Sequence, residues 1–213
     1  MTPMAASIEC QRICGLGPVI PVLEVNDASK AADLAKALIT GGLPVLEVTL
    51  RTPDALDAIS AMADVPGGVV GAGTLLTPAD VKAAKKAGAT FGVSPGATDI
   101  LLQACEDEGL PLLPGASTAS EVMHLLERGY TMQKFFPAEA SGGAPAIKAL
   151  SGPFPQVQFC PTGSVTPKNA LDYLRLDNVT CVGGSWVAPK GLVAAADWKA
   201  ITLLANKASL LAS

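Results

Sequence analysis

Residues 45–63 read VLEVTLR-TPDALDAISAMA, an apolar strand followed by an Ala- and Leu-rich helix. The strand part, residues 45–50, is short and rich in β-branched residues, and the helix part, residues 53–63, begins at a Thr-Pro pair. The same unit recurs eight times, at a spacing of about 21 to 26 residues. The strands are predicted at 19–25, 45–50, 69–73, 90–93, 111–113, 132–136, 157–160 and 179–182, and the helices at 28–40, 53–63, 78–87, 98–108, 118–128, 144–150, 167–175 and 195–211.

This alternation predicts a parallel sheet, because each strand returns to the sheet through a helix. Eight such units favour a closed barrel, so we predict an α/β fold with a single (β/α)8 TIM barrel over residues 1–213. An extra N-terminal helix within residues 1–17 is expected to cap the bottom of the barrel. The alternative is an open doubly wound sheet, which would want a Gly-rich turn after the first strand, where the chain has Val25-Asn26-Asp27-Ala28.

The amino-acid composition argues against several classes of protein. The 213 residues are 49% hydrophobic and 16% charged, which argues against disorder, and a net charge of −4 without a basic block argues against a nucleic-acid partner. No apolar run is long enough for a membrane span, and no signal peptide is evident, so we expect a cytoplasmic protein. Five scattered cysteines and one histidine indicate reduced thiols and no metal site.

The second strand places charges on one face. In a TIM barrel the active site lies at the carboxyl ends of the strands. Alternation puts Glu47, Thr49 and Arg51 on the face opposite Leu46 and Val48, and the apolar face must meet the helices. The charged face then points inward, where charges are costly unless they are paired or used. The alternative to a functional role is a structural ion pair between Glu47 and Arg51.

The sixth strand contains Lys134, the only lysine inside a strongly apolar strand of the predicted pattern. Dry surroundings disfavour an ammonium group, and a neutral amine can attack a carbonyl and form a Schiff base. Glu47, across the barrel, could then act as the general acid and base. The alternative is a lysine at a strand end that extends to solvent.

Two Gly-rich segments end the seventh and eighth strands, Pro161-Thr162-Gly163-Ser164 and Gly183-Gly184-Ser185-Trp186. Backbone amides in such turns can bind a phosphate group, and these two strand ends are the frequent location for it in TIM barrels. The alternative is a pair of tight turns without a ligand. Thr74 ends the third strand and offers a hydroxyl group.

Eight motifs, in this order and spacing, resemble one family. They are Leu46-Glu47-Val48-Thr49-Leu50-Arg51, Gly71-Ala72-Gly73-Thr74, Ser94-Pro95-Gly96, Pro114-Gly115, Lys134-Phe135-Phe136-Pro137-Ala138-Glu139, Gly152-Pro153-Phe154, Phe159-Cys160-Pro161-Thr162-Gly163 and Gly183-Gly184-Ser185-Trp186. The chain is similar to bacterial 2-keto-3-deoxy-6-phosphogluconate (KDPG) aldolases from about Ile13 to the last helix. The resemblance implies a trimeric class I aldolase on a (β/α)8 barrel, with no cofactor and no metal.

The resemblance also implies residue roles. Lys134 would form the Schiff base, and Glu47 would be the general acid and base. The positions implied to bind substrate are Arg51, Thr74 and Thr162 for the pyruvate carboxylate, Phe136 and Pro95 as walls of the pyruvate pocket, and Gly163, Ser164, Gly183, Gly184 and Ser185 around the phosphate. The implied ligands are a phosphorylated keto acid, pyruvate and glyceraldehyde 3-phosphate. Serine at 164 departs from the family, which commonly has glycine there, and the sign of its effect on phosphate binding is open.

Three other functions remain open at this point. A sister aldolase acting on 2-keto-3-deoxy-6-phosphogalactonate or 4-hydroxy-2-oxoglutarate would share the lysine and the glutamate. A sugar-phosphate isomerase on the same barrel would need the acid/base group and the phosphate site but no imine. A sugar-phosphate-binding regulator would need only the pocket, and the fold by itself does not exclude it.

Overall fold

Strands and helices alternate along most of residues 1–211, the part of the chain that the computed structural model describes. The strands are β1 (Val19–Leu23), β2 (Val45–Thr49), β3 (Val69–Gly73), β4 (Phe91–Val93), β5 (Leu112–Leu113), β6 (Gly115–Ala116), β7 (Met132–Phe135), β8 (Gln158–Pro161) and β9 (Val182–Gly184). The helices are α1 (Pro3–Cys14), α2 (Ala31–Thr40), α3 (Ala55–Ala63), α4 (Pro78–Lys86), α5 (Asp99–Glu108), α6 (Ala119–Arg128), α7 (Gly143–Ser151), α8 (Ala170–Leu174), α9 (Lys190–Ala194) and α10 (Trp198–Ser209), with 3-10 turns at Ala28–Lys30 and Glu139–Ser141.

All strand pairs are parallel and form a curled sheet. Six strands pair in the order β5-β4-β3-β2-β1-β9, and three pair in the order β6-β7-β8. Pro114 separates β5 from β6, because proline has no N–H group to continue the ladder. Two isolated parallel bridges connect the two sheets: Phe159 of β8 pairs with Val179, before β9, and Thr162, after β8, pairs with Gly183 of β9.

Apolar side chains bury both faces of this sheet. The larger cluster packs the strands against the helices and includes Leu46, Val48 and Ile59. The smaller cluster contains the residues of the opposite strand face, among them Phe91 and Met132. The alternation predicted for β2 explains this division, because Leu46 and Val48 point to the helices while Val45 and Glu47 point the other way.

Helix α1 lies at the amino-terminal end of β7. Its Ser7 hydroxyl accepts hydrogen bonds from the backbone N–H groups of Thr131 at 2.9 Å and Met132 at 2.7 Å. Cys10 and Cys14 of the same helix belong to the smaller apolar cluster. The helix therefore packs on the smaller apolar cluster of the sheet.

The structure shifts several predicted boundaries. The eighth strand was expected at 179–182, but β9 is Val182–Gly184 and only a bridge lies at Val179, so the Gly-Gly pair is inside the strand. The fifth strand, expected at 111–113, is β5 followed across Pro114 by β6. Helices α3 and α8 begin at Ala55 and Ala170, later than the Thr-Pro pairs at 52–53 and 166–167 predicted. The C-terminal helix ends at Ser209, and residues 212–213 of the predicted domain lie outside the described residues.

Within residues 1–211, no helix combines the length and the apolar character needed to cross a membrane.

Candidate active site

Lys134 and Glu47 form a buried ion pair at the centre of the site. Lys134 is in β7 and Glu47 in β2, strands that do not pair with each other, yet the Lys134 Nζ and Glu47 Oε1 atoms are 3.4 Å apart. Both side chains are at most 5% exposed. A lysine ammonium and a carboxylate are costly to bury, and the pair reduces that cost by charge compensation. The curl of the sheet is what brings these two strands face to face.

Two residues, Phe136 and Gly73, pack against this pair. The aromatic ring of Phe136 lies 5.0 Å from the Lys134 Nζ atom. Gly73, at the end of β3, lies directly against Glu47, because a Cβ atom at this position would be 2.3 Å from Glu47 Oε1 and 2.7 Å from its Cγ. The glycine thus leaves the space that the carboxylate occupies when it contacts Lys134.

This packing makes Gly73→Ala a test of the pair. The new methyl group must displace the Glu47 carboxylate from Lys134, and misplacing a catalytic group by about 1 Å can cost about 100-fold in rate. We expect kcat of the reaction at this site to fall by about that factor while the protein stays folded. The control is Gly96→Ala, since a Cβ at Gly96 meets nothing within 4 Å. Equal rates for the two variants, measured by steady-state kinetics, would contradict this reading.

Arg51 and Thr74, two of the residues predicted to bind substrate, contact each other. The Arg51 Nε–H group donates a hydrogen bond to Thr74 Oγ1 at 3.1 Å, and the guanidinium is exposed. Thr74 has φ of 63°, a left-handed conformation that is unfavourable for a β-branched residue. Such strain concentrates at functional sites. The alternative that the sequence left open, a structural ion pair between Glu47 and Arg51, is not formed, since Glu47 contacts Lys134 instead.

The ends of β8 and β9 lie side by side. Thr162 is buried and bridges to Gly183, and a Cβ at Gly183 would be 2.3 Å from Thr162 Oγ1. Gly163 and Ser164 have φ of 110° and 59°, so the serine occupies a left-handed conformation that glycine adopts more easily. Ser185 is exposed next to them. The two Gly-rich segments are therefore brought together as the sequence predicted.

A cavity of about 650 Å³ opens at this end of the strands. Nine of the twelve predicted site residues line it: Arg51, Lys134, Phe136, Thr162, Gly163, Ser164, Gly183, Gly184 and Ser185. Of the described residues predicted for the site, Glu47, Thr74 and Pro95 are not in the lining. Glu47 and Thr74 reach the site through Lys134 and Arg51. The backbone of Pro95 packs on Gly115, where a Cβ would be 2.4 Å from the Pro95 carbonyl oxygen.

The cavity rim includes charged residues that the sequence analysis did not select. Glu24 and Lys190 form an ion pair at 2.7 Å, and Asp27 and Lys30 form another at 3.5 Å. Glu24 and Asp27 follow β1 directly, so the rule that sites lie at carboxyl ends of barrel strands would have found them. Lys190 comes from the segment after β9, and only the folded chain places it opposite Glu24.

His124 and the cysteines lie apart from this cavity. His124 Nε2 is 3.2 Å from Asp99 Oδ1 on the outer helices. All five cysteines are buried and unpaired. Among residues 1–211, no group of three or more His, Cys, Asp or Glu side chains is arranged to hold a metal ion.

Comparison with known proteins places this chain in one family. The model of the KDPG and KHG aldolase family matches residues 10–204. A curated relative, the 2-dehydro-3-deoxy-phosphogluconate aldolase of Pseudoalteromonas atlantica, is 52% identical over 202 residues, 94% of each chain.

Solved structures show the same fold. The 2-keto-3-deoxy-6-phosphogluconate aldolase of Zymomonas mobilis ZM4, determined with 3-phosphoglycerate, superposes with a TM-score of 0.92 at 47% identity, over 96% of this chain and 97% of that one. The KDPG aldolase of Legionella pneumophila, with pyruvate captured at low pH as a covalent carbinolamine intermediate, superposes with a TM-score of 0.91 at 46% identity, over 93% and 97% of the two chains. From this agreement of sequence and structure over nearly the whole chain, we conclude that the protein is an aldolase and belongs to the KDPG and KHG aldolase family.

Proposed function

We propose that the chain is a class I aldolase that cleaves 2-keto-3-deoxy-6-phosphogluconate to pyruvate and glyceraldehyde 3-phosphate. The observation that carries the proposal is the buried Lys134–Glu47 pair at 3.4 Å, with Lys134 lining a cavity large enough for a phosphorylated six-carbon acid. An amine nucleophile beside a carboxylate is the arrangement that Schiff-base catalysis needs. The captured carbinolamine of the Legionella relative supports the same chemistry for this chain.

The chemistry proceeds through an imine on Lys134. The neutral amine attacks the C2 carbonyl, and Glu47 shuttles the protons that allow water to leave and an iminium to form. The iminium withdraws electrons while Glu47 accepts the C4 hydroxyl proton, so the C3–C4 bond breaks and glyceraldehyde 3-phosphate departs. The remaining enamine takes up a proton at C3, and water hydrolyses the iminium to release pyruvate and the free lysine.

Different residues around the pair bind different parts of the substrate. Arg51, supported by Thr74, carries the positive charge that suits the carboxylate, and Thr162 adds a hydroxyl beside Lys134. The ring of Phe136 bounds the pyruvate part. The segments that contain Gly163, Ser164, Gly183, Gly184 and Ser185 bind the phosphate.

Cleavage of 4-hydroxy-2-oxoglutarate is a second candidate function, because the family model that matches this chain covers KHG as well as KDPG aldolases. The two carboxylates of this substrate would contact Arg51 at one end and the Gly-rich segments at the other. Comparison of kcat/KM for the two substrates separates the candidates.

We also propose features of the whole protein. The six-stranded and three-stranded sheets, joined by the bridges between β8 and β9, are consistent with one (β/α)8 barrel domain whose amino-terminal end is closed by α1. A homotrimer is supported by large apolar side chains exposed on the outer helices, such as Ile8, Ile100 and Met123. A cytoplasmic location is supported by five cysteines that are all unpaired.

The experiment that tests the function is reduction with borohydride in the presence of pyruvate. Borohydride converts an imine to a stable secondary amine, so we expect one pyruvyl adduct per chain, located on Lys134 by peptide mapping. A folded protein that forms no adduct, or forms it on surface lysines alone, would refute the class I mechanism.

A further inference from the structure

The loop after β7 holds the backbone of the loop after β8. The Ala138 N–H group donates a hydrogen bond to the Thr162 carbonyl at 2.8 Å, and the Glu139 N–H group donates one to the Gly163 carbonyl at 3.3 Å. Both donors directly follow the strand that carries Lys134. The position of residues 162–163 is therefore set by the position of this neighbouring loop.

The side chain of Glu139 is in turn bound to helix α8. The Tyr173 hydroxyl donates a hydrogen bond to Glu139 Oε1. Tyr173 is only 1% exposed, and burial together with the Glu139 carboxylate raises the pKa of its phenol, so the hydroxyl keeps the proton that it donates. Glu139 thus connects helix α8 to the Gly163 carbonyl through its own side chain and its own N–H group.

The third carbonyl of this segment has a partner as well. The Asn169 Nδ2 group donates a hydrogen bond to the Ser164 carbonyl at 3.2 Å. A trans peptide directs its C=O and N–H groups to opposite sides. Binding of the three carbonyls of residues 162–164 therefore orients the N–H groups of Gly163, Ser164 and Val165 to the other side, and these three residues line the cavity.

We infer that Glu139 and Tyr173 are positioning residues that hold the 162–164 backbone in its anion-binding conformation without touching the substrate. The inference rests on the proposed function only in taking the anion to be the substrate's phosphate. The left-handed φ angle at Ser164 makes this conformation costly for a free loop, and the external hydrogen bonds offset that cost.

The test compares two tyrosines in tyrosine–carboxylate pairs. Tyr173→Phe removes the bond to Glu139, whereas Tyr130→Phe removes a similar bond from a fully buried tyrosine to Glu106, at 3.2 Å, near the opposite end of β7. We expect Tyr173→Phe to weaken binding of glycerol 3-phosphate, measured by calorimetry, by about tenfold, a loss in the range of one net hydrogen bond. KM for the phosphorylated substrate should rise similarly at nearly constant kcat. Tyr130→Phe should change neither quantity.

A second pair of variants distinguishes the positioning role from a general folding defect. Glu139→Gln retains an oxygen that can accept the Tyr173 proton and should bind glycerol 3-phosphate almost as wild type does, whereas Glu139→Ala should lose about tenfold. Circular dichroism and thermal unfolding establish that each variant is folded. Trapping of pyruvate on Lys134 should be unchanged in all of them, because the Lys134–Glu47 pair is not altered.

Each outcome bears on one of the two proposals. Equal losses of phosphate affinity in Tyr173→Phe and Tyr130→Phe, or no loss in either, overturn the positioning role, as does a wild-type protein that fails to bind glycerol 3-phosphate. A wild type that binds glycerol 3-phosphate in a Tyr173-dependent manner but does not trap pyruvate upholds the positioning role and refutes the aldolase mechanism.

Discussion

Replacement of Lys134 by arginine is expected to lower kcat for aldol cleavage by at least about 10⁴-fold, a loss in the range seen when a covalent nucleophile is removed. A guanidinium keeps the positive charge beside Glu47, so the buried carboxylate is not left without a partner, but it does not form an imine. The same variant should give no pyruvyl adduct after borohydride reduction. A circular dichroism spectrum and a thermal unfolding curve like those of wild type would show that the rate loss is one of chemistry and not of folding.

The control for this prediction is Lys190→Arg. Lys190 also lines the cavity, but its side chain is 74% exposed and pairs with Glu24 at the rim. An identical change there should leave both the adduct and kcat within about twofold of wild type, because exposed ion pairs contribute little. If the Lys134 variant kept activity within tenfold of wild type, Lys134 would not be the nucleophile.

Glu47→Gln is expected to produce the second largest effect, a fall in kcat of about 10²- to 10⁴-fold, as is typical of a lost general acid and base. The amide has nearly the shape of the carboxylate, so it still fits against Gly73, but it does not accept and return protons. Loss of the carboxylate also leaves the Lys134 side chain without its charged partner. The loss of proton transfer slows formation of the imine and the steps after it.

Two measurements separate these steps. Steady-state kinetics gives kcat, and exchange of the pyruvate methyl protons with deuterium, followed by NMR, reports proton transfer at C3 without any aldehyde. Both rates should fall in Glu47→Gln, while Glu24→Gln at the cavity rim should leave them unchanged. Normal proton exchange in a folded Glu47→Gln protein would show that another group moves the protons.

The local sequence pattern is sufficient to predict secondary structure where interactions between neighbouring residues determine it. The prediction for the second strand, residues 45–50, agrees with β2 to within one residue, and that for the third strand agrees with β3 at both ends. Alternation in β2 also placed Glu47 on the inner face correctly, because side chains of an extended chain alternate whatever surrounds them. Thr77 caps α4 as its Thr-Pro pair predicts, with the reciprocal bonds to Asp80.

The same Thr-Pro signal predicts the start of a helix wrongly where the threonine side chain bonds to another part of the chain. The Thr52 hydroxyl bonds to the carbonyl of Val25, from the segment after β1, and α3 begins only at Ala55. The Thr166 hydroxyl bonds to the side chain of Asn169, whose amide holds Ser164. Each hydroxyl group is oriented by the acceptor to which it donates and not by the N–H groups of the following turn. For Thr52 that acceptor lies 27 positions away, outside any local sequence window.

The sequence by itself determined the order of strands and helices, the inward face of β2 and the residue types of the site, since each depends on spacing within one short segment. Only the tertiary structure decided which of these residues meet. Lys134 and Glu47 are 87 positions apart on strands that do not pair, and Tyr173 reaches Glu139 across 34 positions. Such contacts depend on how twist and pairing accumulate over the whole curled sheet, so no local pattern encodes the 3.4 Å distance on which the chemistry rests.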